Sequence, residues 1–298
     1  MSAHLSFVEA IVVGAFQGIT ELFPVSSLGH AVLVPALVGG RWADDLNVTA
    51  PESPYLAFIV GVHVATAAAL LVFFWRDWAR ILSGFASSLR YRRIETPTER
   101  LAWLILLATI PVGVAGVALE HLFRTTLGKP IPVAIFLMVN GVALYVGEVL
   151  RRRADDEPAE PSHTDAAIDD RLSQMPRAQG ILIGSAQILA LLPGISRSGI
   201  TMVAGLWRGL SHEDAARYSF LLATAIILPA GFYKIPDLLG PMGAGIGGQV
   251  LAGSIASFIA AYLSVRFLTR YFQTRTLTPF AIYCALAGAA SLVWLVLG

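Results

Sequence analysis

Six stretches of the chain, 55–75, 101–119, 132–150, 216–233, 247–268 and 277–297, carry at most one charged residue each. As helices they approach or exceed the roughly 20 apolar residues that cross a bilayer core. Hydrocarbon offers no partner to a backbone N–H or C=O, so runs of this kind fold as helices whose hydrogen bonds stay within the segment. Composition agrees: 14% of the 298 residues are charged and 56% are hydrophobic, against about 25% charged in soluble domains. The chain is therefore an all-α polytopic membrane protein, read as a single membrane domain over 1–298. A net charge of +1 gives no reason to expect nucleic acid as a partner. The one cysteine, Cys284, has no internal disulfide partner and reads as a small buried hydrophobe. No basic n-region with a small-residue cleavage site opens the chain, so no removable signal peptide is expected.

Two further apolar stretches are interrupted. Residues 5–22 and 28–38 flank Pro24, and 178–207 contains Pro193-Gly194. Each half is too short to span alone, which makes each stretch a helical hairpin that enters the membrane and returns; one long kinked span is the competing reading of the first. A polar loop follows at 41–54. Residues 151–177 hold Arg151, Arg152 and Arg153 and then an acidic, Pro-containing run from Asp155 to Asp170, the composition of a disordered linker. Placing 76–100, 151–177, 208–217 and 266–275 on one side gathers 16 of the 21 basic residues there, leaving Arg41, Arg124, Lys129 and Lys234 opposite and Arg197 in the second break. The positive-inside rule makes that side cytoplasmic and puts both termini outside.

A shift of 170 residues pairs Gly14 with Gly184, Gln17 with Gln187, Ser26 with Ser196, Gly29 with Gly199 and Gly39 with Gly209. These matches bracket both breaks and indicate a duplication: repeat one over about 5–150, a cytoplasmic linker over about 151–177 and repeat two over about 178–298. Each repeat is a re-entrant hairpin plus three transmembrane helices. An odd number of spans between the hairpins gives the halves inverted topology, and inverted hairpins meet near mid-membrane, where freed backbone groups form a polar site.

The breaks carry the chemistry. Arg197 in an apolar hairpin calls for an anion, and flanking Ser196 and Ser198 with nearby glycines and Thr201 suit a phosphate. A salt bridge to Glu21 is the competing use of Arg197, and the two are compatible. The returning half-helices begin at Ser26-Ser27 and Ser196-Ser198; such serines cap helices, and a helix N-terminus attracts anions. Gln17 and Glu21 share one helical face. Glu21 is a candidate base, or a ligand to a divalent cation that accompanies a diphosphate. His30, near Ser27 at the helix start, is a candidate proton donor to a leaving phosphate. His63, alone in an apolar run, reads as a packed, hydrogen-bonded residue.

At these residues the sequence strongly resembles the undecaprenyl-diphosphate phosphatase family, integral membrane enzymes linked to bacitracin resistance. The first motif runs from Gln17 and Glu21 through Pro24, Ser26 and Ser27 to Gly29 and His30; the second runs from Pro193 through Ser196, Arg197 and Ser198 to Thr201. Tyr218–Ala223 and Pro279–Tyr283 extend the similarity over nearly the whole chain outside 154–170. The resemblance implies hydrolysis of undecaprenyl diphosphate to undecaprenyl phosphate and inorganic phosphate, with a divalent cation, magnesium or calcium, at the outer face of a bacterial cytoplasmic membrane. That reaction recycles the lipid carrier of cell-wall synthesis. Carried over, it makes Glu21, Ser27, His30 and Arg197 catalytic, and Gln17, Ser26, Ser196, Ser198 and Thr201 substrate-binding. The partners implied are the lipid diphosphate and the bilayer; a homodimer is compatible with this reading. The chain departs from the family pattern at Gln17, where some members have glutamate, so no two-carboxylate metal site is expected, and at Leu28 and Ala225. The rival function is a transporter or flippase of polyprenyl phosphate lipids, which inverted broken hairpins also suit. A carrier, however, has no use for a positioned acid and hydroxyl.

Overall fold

A computed structural model describes residues 5–46, 54–122, 127–154, 165–240 and 245–297, and the described residues are helical with no strands. Arg124, the later part of the 41–54 loop and linker residues 155–164 lie outside them. The first hairpin consists of α1 (Phe7–Thr20) and α2 (Ser27–Val38), followed by the short α3 (Gly40–Asp45). A capping box starts α1: the Ser6 hydroxyl accepts the Glu9 N–H and the Glu9 carboxylate accepts the Ser6 N–H. Fourteen residues rise only about 21 Å, short of the ~30 Å hydrocarbon core, so α1 cannot span alone.

The clean apolar runs appear as α4 (Pro54–Phe73), α6 (Pro97–Leu122), α7 (Pro130–Ala154), α11 (His212–Leu239), α12 (Gly247–Tyr271) and α13 (Thr278–Leu297). Five of these, from α6 onward, are long and apolar enough to cross a membrane. After α4 the chain turns by 85° into α5 (Trp75–Tyr91). Helix α5 is amphipathic: Asp77, Ile81, Gly84 and Ser88 are buried on one side, while Arg76, Arg80 and Arg90 are exposed. That pattern suits a helix lying along the membrane surface, and it lies in the Arg-rich segment assigned to the cytoplasmic side.

The described residues after 164 are ordered, against the expectation of a disordered linker. Residues 165–174 form α8 (Asp165–Gln174), whose Ile168 and Leu172 are buried against Leu101 and Ile105 of α6. Two of its charges are held as well: Asp169 pairs with Arg80 at 3.0 Å and Arg217 at 2.8 Å, and Arg171 pairs with Asp214 at 2.6 Å. For Asp169 the acidic composition reads as solvated because its cationic partners, Arg80 of α5 and Arg217 of α11, are far away in sequence.

The second broken hairpin consists of α9 (Arg177–Ser185), a 3₁₀ turn over Ala186–Leu191, and α10 (Arg197–Trp207). Packing around the two hairpins follows one pattern. Helix α1 lies on α12 and α9 lies on α6, while α4 packs with α11 and α7 with α13. Glycines allow the close approaches: a Cβ at Gly14 would stand 2.2 Å from the carbonyl oxygen of Gly253 in α12, and one at Gly184 would stand 2.3 Å from that of Ala108 in α6. Gly14→Ala forces backbone against backbone and is expected to cost about 1–3 kcal/mol, read as a lower melting temperature in detergent; an unchanged melting temperature would mean that α1 and α12 part freely.

Candidate active site

The two breaks touch each other reciprocally. A Cβ on Gly29 would lie 3.0 Å from Cα of Gly194, and one on Gly199 would lie 3.2 Å from Cβ of Pro24. The Ser198 hydroxyl donates to the Phe23 carbonyl at 3.2 Å, so the second hairpin satisfies a backbone group that the first break frees. Ser26 and Ser196 are matching N-caps, each accepting the N–H of Gly29 or Gly199 at 3.2 Å. Ser26 reaches its cap with φ 69° and ψ 98°, a conformation costly for a residue with a Cβ and one that clusters at functional sites. In the second break the positive φ falls instead on Gly194, at 112°, where it carries no such cost, and Ser196 caps α10 from extended backbone at φ −84°.

Glu21 sits at the centre. Its Oε1 accepts from Arg197 Nη2 at 2.5 Å, across the seam between the hairpins. Its Oε2 accepts a short hydrogen bond from the Ser27 hydroxyl and a 2.9 Å bond from Gln17 Nε2. His63 of α4 brings Nε2 to 3.4 Å from the same oxygen, and its Nδ1 faces the Ile59 carbonyl at 2.8 Å. Arg197 Nη1 is buried and has no hydrogen-bond partner among the described residues. A buried guanidinium donor left unpaired is costly, and an anion arriving at Arg197 would relieve that cost.

These groups form the polar end of a cavity of about 320 Å³, where Glu21, Ser26, Ser27, His63, Ser196 and Arg197 meet. Its other walls are apolar, including Ile59, Val60, Ile226, Ile227 and Ala230, with Lys234 also on the lining. The chamber thus joins an anion-seeking end to a greasy wall.

Other expected site residues are placed differently. His30 is buried, with Nδ1 2.7 Å from the Ser26 carbonyl and Nε2 2.7 Å from the Tyr283 hydroxyl of α13. Those bonds turn the ring behind the serine turn, and His30 is not on the cavity lining. Thr201 and Ser198 give their hydroxyls to backbone carbonyls, those of Arg197 and Phe23. They shape the second break rather than line the chamber.

Comparison with known proteins bears on this arrangement. The family model described as "Bacitracin resistance protein BacA" matches residues 10–290. The chain belongs to the BacA family. It is 79% identical to the undecaprenyl-diphosphatase of Mycolicibacterium paratuberculosis and 78% identical to that of Mycobacterium avium, each over the full length of both chains. It is also 49% identical to undecaprenyl-diphosphatase 1 of Frankia casuarinae over 98% of each.

For a BacA protein with Gln17 in place of a second acid, the metal question turns on the donor set. Among the described residues no three His, Cys, Asp or Glu side chains cluster as a metal site. Among the described residues Glu21 is the one carboxylate on the cavity lining, so these residues fit only a cation that takes most of its oxygens from a diphosphate and water, as magnesium commonly does. Sequence reasoning left out three contributors. From sequence His63 reads only as a packed, hydrogen-bonded residue, Tyr283 only as part of a matching run, and Asn140 carries no signal of its own. Each reaches the breaks from a helix distant in sequence, so no local spacing signals it.

Proposed function

We propose that this BacA-family chain hydrolyses undecaprenyl diphosphate to undecaprenyl phosphate and inorganic phosphate, recycling the lipid carrier of wall synthesis. The observation that carries this reading is Glu21, shared between the Ser27 hydroxyl and the Arg197 guanidinium at the polar end of a half-apolar cavity. A carrier of lipid phosphates would use the arginine and the apolar wall, but it gains nothing from a hydroxyl held on a carboxylate.

In the proposed reaction the diphosphate displaces Glu21 from part of Arg197 and satisfies the unpaired Nη1. Ser27 Oγ attacks the terminal phosphorus and gives its proton to Glu21 Oε2; the Oγ–P bond forms, the bond to the bridging oxygen breaks, and undecaprenyl phosphate leaves. Glu21 passes that proton to the departing undecaprenyl phosphate; its carboxylate then takes a proton from water, the water oxygen–phosphorus bond forms as the Ser27 Oγ–P bond breaks, and the proton returns to Oγ, freeing phosphate. Arg197 and the first-turn N–H groups of α10 stabilise charge on the transferring group. His30 holds the strained Ser26 turn in place. A divalent cation bound by Glu21 and the diphosphate would supply further charge neutralisation.

The spatial pattern supports the inverted duplication. Exchanging the hairpins carries the α1–α12 contact into the α9–α6 contact and the Gly29–Gly194 contact into the Gly199–Pro24 contact. Lys234 lies towards the C-terminal end of α11, away from the basic 208–217 segment, and Ile59 lies near the start of α4, away from the Arg-rich α5. On the positive-inside assignment the cavity therefore opens to the outer side.

The test is phosphate release from undecaprenyl diphosphate by purified protein in detergent, with and without magnesium or calcium. Release is expected, with labelled phosphate trapped on Ser27 after acid quenching. Ser27→Ala that retains hydrolysis within tenfold of the unaltered chain would remove the covalent step, while absence of release from folded protein would favour lipid-phosphate movement across liposomes.

A further inference from the structure

Both breaks rest on α7, and one side chain there touches each of them. Asn140 is 1% exposed in the middle of this span. Its Nδ2 donates to the Pro24 carbonyl at 3.1 Å, and its Oδ1 accepts the Ser196 N–H at 2.9 Å. The planar amide presents donor and acceptor together, so a single group joins a carbonyl freed by the first break to an N–H freed by the second. Pro24 stands between Glu21 and Ser27 in the chain; Ser196 immediately precedes Arg197. The two bonds therefore fix, from a third helix, the parts of the backbone that carry the two sides of the ion pair.

Helix α7 is itself well held. A Cβ at Gly141 would lie 2.7 Å from the Ala281 carbonyl oxygen in α13, and one at Gly194 would lie 2.6 Å from the Val133 carbonyl oxygen in α7. Cys284 of α13 also receives Nδ2 of Asn140 at 3.3 Å. The α7–α13 pair is a firm base, and Asn140 projects from it into the seam.

We propose that Asn140 is a positioning residue for the phosphatase reaction: it sets the register of the two breaks, so that Arg197 faces Glu21 and a phosphate can be taken between them. This rests on the proposed phosphatase reading. If Asn140 merely satisfied buried backbone groups, its loss would lower stability without regard to Arg197. As a register device, its effect must pass through Arg197 and vanish when that group is already compromised, because coupled residues are non-additive.

The experiment compares four proteins in detergent: the unaltered chain, Asn140→Leu, Arg197→Lys and the double variant. Steady-state phosphate release from undecaprenyl diphosphate is measured alongside melting temperature. Asn140→Leu is expected to lower kcat/KM about 10²-fold, the scale of a displacement of about 1 Å at a reacting centre, with the fall mainly in kcat. In the Arg197→Lys background the same change is expected to cost about threefold or less. Equal losses in both backgrounds, or near-normal activity of Asn140→Leu, would overturn the inference. Asn140→Ala repeats the comparison if the leucine variant does not fold, and failure of both to fold would assign Asn140 to folding instead. Pyrophosphate binding by calorimetry in the four proteins needs no turnover, and weakening on loss of Asn140 only where Arg197 is present supports the register role. An inactive unaltered chain would count against the phosphatase reading, and the binding cycle would still decide the role of Asn140.

Discussion

Arg197→Ala is expected to lower kcat/KM by about 10³- to 10⁵-fold, the range over which an arginine supports phosphoryl transfer. Two effects act together. The transferring phosphoryl group loses the guanidinium that would carry its growing charge, and Glu21 loses the partner at 2.5 Å that crosses the seam. Lysine keeps the charge but not the fork: one nitrogen cannot hold the carboxylate while a second donor, like the unpaired Nη1, waits for an anion. Arg197→Lys should therefore recover only part of the loss. Phosphate release measured for both variants checks this, and near-normal turnover by Arg197→Ala would mean that the phosphate binds elsewhere.

Glu21→Gln is expected to separate binding from turnover. The amide removes the charge that occupies Arg197 before substrate arrives, so pyrophosphate should bind at least as tightly as to the unaltered chain. It also removes the acceptor that takes the Ser27 proton, and kcat should fall by about 10³-fold, within the range for loss of a positioned base. Calorimetry and steady-state kinetics on the same preparation read both quantities. A parallel loss of binding would show that Glu21 holds the ligand, directly or through a cation, more than it competes with it.

Much of this arrangement could be read from the chain because membrane folding leaves strong local signatures. Uncharged runs marked the long helices, and Pro24 and Pro193-Gly194 marked the breaks, since broken backbone in a bilayer needs polar company. Glu21, Ser27 and Arg197 were legible for the same reason: each is expensive in hydrocarbon unless it meets a partner. The contributors from other helices were not legible. His63 and Asn140 sit in apolar runs whose pattern says only that they are buried; what they touch depends on how α4 and α7 pack. His30 is legible as a site candidate but not in its contacts. Its closeness to Ser27 in sequence suggested a shared task, but Tyr283, 253 positions away, claims one ring nitrogen and the Ser26 carbonyl claims the other. Helix α8 was missed because counting charges along the linker cannot reveal that Arg80, Arg217 and Asp214 wait for them across space.

The reciprocal seating of the two breaks has a consequence for direction. On the proposed two-fold relation, Ser27 and Arg197 stand at the same place on their returning helices, while the counterpart of Glu21 is Leu191. Near-symmetric hairpins thus carry unlike cargo: a hydroxyl and an acid from one, a cation from the other. Only one side of the seam collects all three, so a scaffold with two similar faces has a single reactive one. On the proposed reading, lipid diphosphate in the leaflet beyond that face would have to change leaflets before this site could act on it, which gives the proposed reaction a sidedness without a gate.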